Sequence, residues 1–94
     1  MEIELIIREM TDERQGISEK TNNPYHIASF LGETEEYYPQ RIVFDVSVGA
    51  NSQIKPEDIE VGKRYKVSLN FNGYRGTNGK WYNNIKAWKA EAIN

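Results

Sequence analysis

The alternation of apolar and polar side chains in short segments is the feature that most constrains the fold. In residues 64–71 every second side chain is apolar: Tyr65, Val67, Leu69 and Phe71. A period of two is typical of a β-strand with one buried face. The same pattern, less strictly kept, predicts four further strands, over residues 2–9, 25–34, 41–48 and 81–91.

The segments between these strands carry turn and helix signals. Residues 11–24 are polar and end in Asn-Asn-Pro, which predicts a long loop, and residues 35–39 are predicted to turn the chain. Residues 55–62 combine an early proline, acidic residues in the first turn and a final glycine, which predicts a short helix. Residues 72–80 contain Asn-Gly twice, a typical hairpin-turn dipeptide, and are predicted to link the last two strands.

The order of these elements indicates a fold class. Five strands with one short helix between strands 3 and 4 is the element order of the OB-fold, a small and partly open Greek-key barrel. We therefore predict that residues 1–94 form a single all-β domain, a five-stranded OB-fold barrel. An SH3-like barrel is the alternative, and the position of the helix favours the OB-fold.

Charge is distributed unevenly along the chain. Residues 62–94 contain seven basic residues and one acidic residue, a balance of +6, whereas residues 1–61 have a balance of −8. The basic segment also contains six of the eleven aromatic residues. Such a separation of charge attracts an anionic ligand to one face of a domain, and it could equally pair one protomer with another.

Two stretches of the sequence resemble a known family. Residues 33–46 and 78–88 are similar to a family of small bacterial domains of unknown function, above all in the run Asn78-Gly79-Lys80-Trp81-Tyr82. That family is described as having an OB-fold and as similar to single-stranded-DNA-binding proteins. The resemblance implies the same fold and a nucleic-acid ligand for this chain.

Cations interleaved with aromatic rings are what a protein needs to bind single-stranded nucleic acid, because cations contact phosphates and rings stack on bases. The sequence predicts such binding, with DNA favoured over RNA and without strong sequence specificity. The residues expected to contact phosphates are Arg64, Lys66, Arg75, Lys80 and Lys86. The residues expected to stack on bases are Tyr74, Trp81 and Tyr82. Acidic residues on the second and third strands are expected to weaken this binding and to make it salt-dependent.

The register of the last two strands decides where Trp88 lies. If Leu69 pairs with Ile85, then Trp88 lies outside with Lys86 and Tyr82. If a tight turn at Asn78-Gly79 pairs Leu69 with Trp88, the indole enters the core. A one-residue slip exchanges the two faces, and a β-bulge could reconcile the two registers.

Other functions receive little support from the sequence. The chain has no cysteine and one histidine, His26, so we expect no metal site, no cofactor and no catalytic centre. The glycine-rich segment departs from the phosphate-binding loop pattern, because Trp81 follows Lys80 where a hydroxyl residue is required. We expect a cytoplasmic protein without a membrane span. Self-assembly through the acidic and basic parts is the alternative function, and a carbohydrate or a small anion is a third possible ligand.

Overall fold

Five β-strands form one closed sheet in the computed structural model, which describes residues 1–49 and 52–93. The strands are β1 (Glu2–Ile17), β2 (Pro24–Glu33), β3 (Arg41–Ser47), β4 (Arg64–Arg75) and β5 (Trp81–Ile93). Their order around the sheet is β1-β2-β3-β5-β4. The predicted all-β class with five strands is confirmed. The predicted domain, residues 1–94, includes positions 50, 51 and 94, which lie outside the described residues.

The sheet closes through two contacts between strands that are distant in sequence. β4 pairs with β1 in antiparallel fashion, with Ile3 opposite Val67 and Ile6 opposite Arg64. β3 pairs with β5 in parallel fashion at a single position, Asp45 opposite Lys86. β3 and β5 are thus paired over a very short length, and Lys86 lies at this junction.

The core is built from the inward residues of the alternating pattern. Its largest fully buried side chains include Phe30 and Phe44, whose ring centroids are 6.1 Å apart. β1 contributes Leu5 and Ile7, and β4 contributes Tyr65, Val67 and Leu69. Burial of each such apolar side chain stabilises the fold by about 1.5–3 kcal/mol. Tyr65, Val67 and Leu69 therefore lie where the sequence predicts, whereas Phe71, the fourth residue of the predicted inward face, is 54% exposed because β1 pairs with β4 only at Arg64–Ser68.

A 3₁₀ turn at Pro56–Asp58 stands where the sequence predicts a short helix over 55–62. Ile54, Pro56 and Ile59 are buried. The Tyr65 hydroxyl accepts a hydrogen bond from the backbone N–H of Glu60 at 2.9 Å, which ties this segment to β4. Ile59, the residue after the turn, has an extended backbone, so the helical segment ends after one turn. Among the described residues, none belongs to a helix long and apolar enough to cross a membrane.

The prediction of a long loop over 11–24 is wrong. β1 continues to Ile17, β2 begins at Pro24, and the two strands pair along this whole length. All β1 residues from Arg8 to Ile17 are exposed, because this half of the hairpin pairs with β2 and extends beyond the core. Apart from Met10, Gly16 and Ile17, these residues are polar on both faces, and the alternation that signals a strand is lost.

The last two strands are also longer than predicted. β4 continues through Asn72-Gly73 to Arg75, so this Asn-Gly pair lies inside a strand. The turn is limited to residues around Asn78-Gly79, with the Gly76 carbonyl accepting a hydrogen bond from the Gly79 N–H at 3.0 Å. Gly79 has a φ of +82°, which favours glycine. The second Asn-Gly signal was correct, but the turn has three residues between the paired Gly76 and Lys80.

Candidate nucleic-acid interface

The distal half of the β4–β5 hairpin presents six polar and aromatic side chains on one face. The pairs Tyr74–Tyr82, Asn72–Asn84 and Asn70–Lys86 lie directly opposite one another across the two strands. Successive side chains of a strand point to opposite faces, so these alternate positions share a face. We call these six residues the outer row. The opposite face of the same strands continues the core through Leu69 and Ala87, which are both buried.

The two tyrosines of the outer row form a stacked pair. Their ring centroids are 5.7 Å apart with an interplanar angle of 26°. Tyr74 is 49% exposed and Tyr82 is 41% exposed, so both rings remain accessible. The Tyr82 hydroxyl accepts a hydrogen bond from the Asn78 side chain at 2.7 Å, and the ring lies close over Gly76. The turn residues therefore hold Tyr82 in position.

Trp81 lies on the other face of the hairpin. It is 72% exposed and is paired across the strands with Arg75. Phe71 is on the same face and is 54% exposed. The predicted set of three stacking residues is therefore divided, with Tyr74 and Tyr82 on one face and Trp81 on the opposite face, because Trp81 and Tyr82 are neighbours in a strand.

Arg64 and Lys66 lie at the opposite end of β4 from the tyrosine pair, with Arg64 ten residues or about 33 Å from Tyr74 along the strand. Arg64 donates two hydrogen bonds to the carboxylate of Glu35, one of them at 2.8 Å from Nη2 to Oε2. These hydrogen bonds lower the pKa of Glu35 and raise the pKa of Arg64. The Arg64 charge is therefore matched by an acidic partner within the chain.

Lys66 is surrounded by carboxylates. Its ammonium group is 3.1 Å from Glu2, and the hydrogen bond between them raises the pKa of Lys66. Glu4 and Glu91 lie opposite Lys66 on the neighbouring strands. Arg64 and Lys66 thus lie apart from the other predicted cations and have acidic neighbours. These neighbours come from other strands and loops, so they cannot be identified from the sequence alone.

The remaining predicted cations are Arg75, Lys80 and Lys86. In the described part of the chain, none of the three has a carboxylate within 4.0 Å. Arg75 and Lys86 lie on the hairpin strands, and Lys80 adjoins the turn. These three charges therefore remain available to an anionic ligand.

Two carboxylates that the sequence placed near the ligand have partners in the structure. Glu33 forms ion pairs with Arg8 and Arg41, and Asp45 accepts a hydrogen bond from Ser29. The repulsion that Glu33 exerts on phosphates is reduced by its two arginine partners, whereas Asp45 keeps its charge because the Ser29 hydroxyl is neutral.

Trp88 occupies a β-bulge. Ser68 pairs with Lys89 and Leu69 pairs with Ala87, so Trp88 is the additional residue between them. Residues 64–68 keep the second of the two registers considered from the sequence, and the β-bulge, the third alternative, then places Leu69 opposite Ala87, in neither register. Ala87 stays in the core at 3% exposure, and Trp88 is partly buried. A bulge re-aims a side chain in this way and shifts the pairing register by one residue.

A groove of about 370 Å³ lies beside Trp88. Its lining includes Ser47, Asn70, Asn72, Asn84, Lys86 and Trp88. The backbone N–H of Gln53 donates a hydrogen bond to the Trp88 carbonyl at 2.7 Å, which joins the segment after β3 to β5. The groove therefore forms where the outer row meets the junction of β3 and β5.

Sequence reasoning missed Asn72 and Asn84 as site residues. Asn72 falls in the segment predicted as a glycine-rich link, and Asn84 has no charge or ring to single it out. Continuing the period-two alternation of 64–71 through residue 75 would have placed Asn70, Asn72 and Tyr74 on one face. That pattern was the available signal.

Among the residues that the structure describes, no group of three or more His, Asp or Glu side chains is arranged so that it could hold a metal ion. His26 lies 2.9 Å from Glu13 on the β1–β2 hairpin, away from the outer row. The chemistry that the outer row offers is stacking, hydrogen bonding and attraction of anions.

The fold and this surface define a small all-β domain with a projecting aromatic and basic hairpin. Residues 2–91 match the family described as a domain of unknown function (DUF3127), and the chain belongs to that family. The resemblance to a small family of this kind is thereby confirmed. A comparison with curated proteins finds no match.

Proposed function

We propose that this chain is an OB-fold domain that binds single-stranded nucleic acid, DNA in preference to RNA, through the outer row of the β4–β5 hairpin. The observation that carries the proposal is the stacked and half-exposed pair Tyr74–Tyr82, aligned on one face with Lys86. No catalytic role is part of this proposal.

The topology supports the OB-fold assignment. A five-stranded sheet in the order β1-β2-β3-β5-β4, with a helical turn between β3 and β4, is the arrangement expected of that Greek-key barrel. The hairpin between β4 and β5 is one of the two connections that flank the ligand in such folds.

The chemistry of the hairpin suits a single strand better than a duplex. Bases of a single strand expose their faces, and each base stacked on an aromatic ring contributes about 1–3 kcal/mol irrespective of its identity. Lys86 in the outer row and Lys80 beside the turn supply charge for the phosphates next to the stacked bases, whereas Arg75 lies with Trp81 on the opposite face of the hairpin. At the tip of the hairpin the tyrosines stack on base faces and do not contact base edges. Because every base has such a face, this binding has no strong sequence specificity.

The test is fluorescence anisotropy with a labelled single-stranded oligonucleotide at low salt. Tyr82→Ala is expected to weaken binding by about 5- to 150-fold, the equivalent of one lost stacking contact of 1–3 kcal/mol. The matched control is Tyr37→Ala, since Tyr37 is 89% exposed and is paired with another tyrosine, Tyr38, at 4.8 Å. This control should bind as the unaltered chain does.

Equal affinity of the Tyr82 and Tyr37 variants, or no binding of any single strand by the unaltered chain, would overturn the proposal. Sedimentation of the same samples distinguishes nucleic-acid binding from self-assembly. Self-association that weakens with salt, in a chain that binds no oligonucleotide, would favour the self-assembly function instead.

A further inference from the structure

We propose that the groove beside Trp88 holds one nucleobase of the bound strand, turned away from its neighbouring bases, and that its asparagines read the edge of that base, with adenine preferred. This inference rests on the proposed function and adds a base-reading site to it. The ligand is thus a single strand whose affinity depends on which base reaches the groove.

The β-bulge forms the first element of the site. The additional residue in β5 leaves Ala87 in the core and lets Trp88 line the groove together with Lys86. An indole plane at the side of a groove is a stacking surface for a base. The hydrogen bond from Gln53 to the Trp88 backbone holds this part of β5 in place.

Three amide side chains form the second element. Asn72 and Asn84 face each other across the strands, and Asn70 is next in the outer row. None of the three forms a side-chain hydrogen bond within the residues that the structure describes. Their donors and acceptors are consequently available to a ligand.

The amide chemistry indicates the class of ligand. Each asparagine offers two N–H donors and one carbonyl acceptor, a pattern that matches the edge of a base better than a phosphate, which only accepts. Paired donor and acceptor contacts from asparagine are the usual recognition of adenine. A groove with three amides and the one cation of Lys86 thus fits a neutral base attached to a charged backbone.

The groove is continuous with the stacking surface. Tyr82, Asn84 and Lys86 occupy alternate positions of β5, so the groove begins about 7 Å from the tyrosine pair, at Asn84, and extends to Lys86 at about 13 Å. One bound strand can therefore stack on the tyrosines and place a neighbouring base in the groove.

The test compares oligonucleotides of equal length made of adenine, of thymine, or of abasic sugar-phosphate units. The unaltered chain should bind the adenine strand about tenfold more tightly than the thymine strand, within the 1–3 kcal/mol given by one bidentate contact. Asn84→Ala should remove this preference. The matched control Asn83→Ala alters the neighbouring side chain, which faces the opposite side of the hairpin, and should keep it.

A second measurement reports on Trp88 directly. In the variant Trp81→Phe, Trp88 is the remaining tryptophan, and its emission should be quenched by the adenine strand but not by the abasic strand. Denaturation midpoints of the Asn84 and Asn83 variants identify any loss of folding.

Each outcome separates the two proposals. Equal binding of adenine and thymine strands that Asn84→Ala leaves unchanged, with Tyr82→Ala still weakening binding, would overturn the base-reading site and leave the proposed function in place. Failure of the unaltered chain to bind any of the three strands would overturn both.

Discussion

Two lysines show how position within the fold decides what a charge can do. Lys66 and Lys86 are both exposed and both belong to the basic segment of the sequence. Lys66 is held by Glu2 at 3.1 Å, whereas Lys86 has no carboxylate within 4.0 Å among the described residues. A lysine releases a counterion from nucleic acid when it contacts a phosphate. A lysine that is already paired with a carboxylate must first break that ion pair to do so.

The salt dependence of binding tests this distinction. Lys86→Gln should reduce the slope of log K against log salt by about 0.7, the value for one phosphate contact on a single strand. Lys66→Gln changes the net charge by the same amount and should leave the slope as it is. A titration of labelled oligonucleotide over a series of salt concentrations measures both. A slope for Lys86→Gln equal to that of the unaltered chain would show that Lys86 makes no phosphate contact.

At the scale of the element, β4 has two halves with different surroundings. Residues 64–69 pair with β1 and β5 and include three buried apolar side chains. Residues 70–75 pair with β5 and are all exposed. The strand is continuous, but few buried apolar side chains stabilise its distal half.

Hydrogen exchange should reveal this division. In the free protein, amides of residues 70–75 should exchange faster than those of residues 64–69, because local opening of the distal hairpin exposes little apolar surface. Exchange followed by mass spectrometry of the two peptides measures the difference. Equal protection of both halves would mean that the hairpin opens only with the whole domain.

The same division explains what the sequence could predict about the elements. Alternation identifies a strand where one face is buried, as in residues 64–69 and in β3. It fails in the distal part of the β1–β2 hairpin, where both faces meet solvent and neither needs apolar residues. It also cannot locate the Trp88 bulge, since the position of an additional residue depends on which partners the strand finds on both sides.

At the scale of the whole molecule, ion pairs connect the acidic and basic parts of the sequence. Arg64 binds Glu35 and Lys66 binds Glu2, so part of the charge separation is matched within one chain. Three cations in the described part of the basic segment have no such partner. They belong to the β4–β5 hairpin or its turn and are Arg75, Lys80 and Lys86. The uneven charge predicted an anion-binding face, and the tertiary contacts limit which residues could form it.

The Arg64–Glu35 pair gives the stability of the fold a pH dependence. The hydrogen bonds from Arg64 lower the pKa of Glu35, so the stabilisation is present above the unfolded pKa of this carboxyl and is lost as the pH falls through the lower folded pKa. The unaltered chain should therefore be more stable than Glu35→Gln at neutral pH, and the difference should vanish in acid. It will be small, since both side chains are about half exposed.

Urea denaturation at a series of pH values measures this difference. The matched control is Glu36→Gln, because Glu36 is exposed and has no ion pair in the described residues. A difference between the Glu35 variant and the unaltered chain that is independent of pH would show that the ion pair does not contribute.

The central claim is that the outer row contacts single-stranded nucleic acid, and an NMR titration of isotope-labelled protein with an unlabelled single strand tests it most directly. The predicted result is that amide shifts concentrate at the outer row and at Trp88, with smaller changes at Arg64 and Lys66. Shifts concentrated on the β1–β2 hairpin or at Tyr37 and Tyr38, or a spectrum unchanged by the oligonucleotide, would contradict the claim.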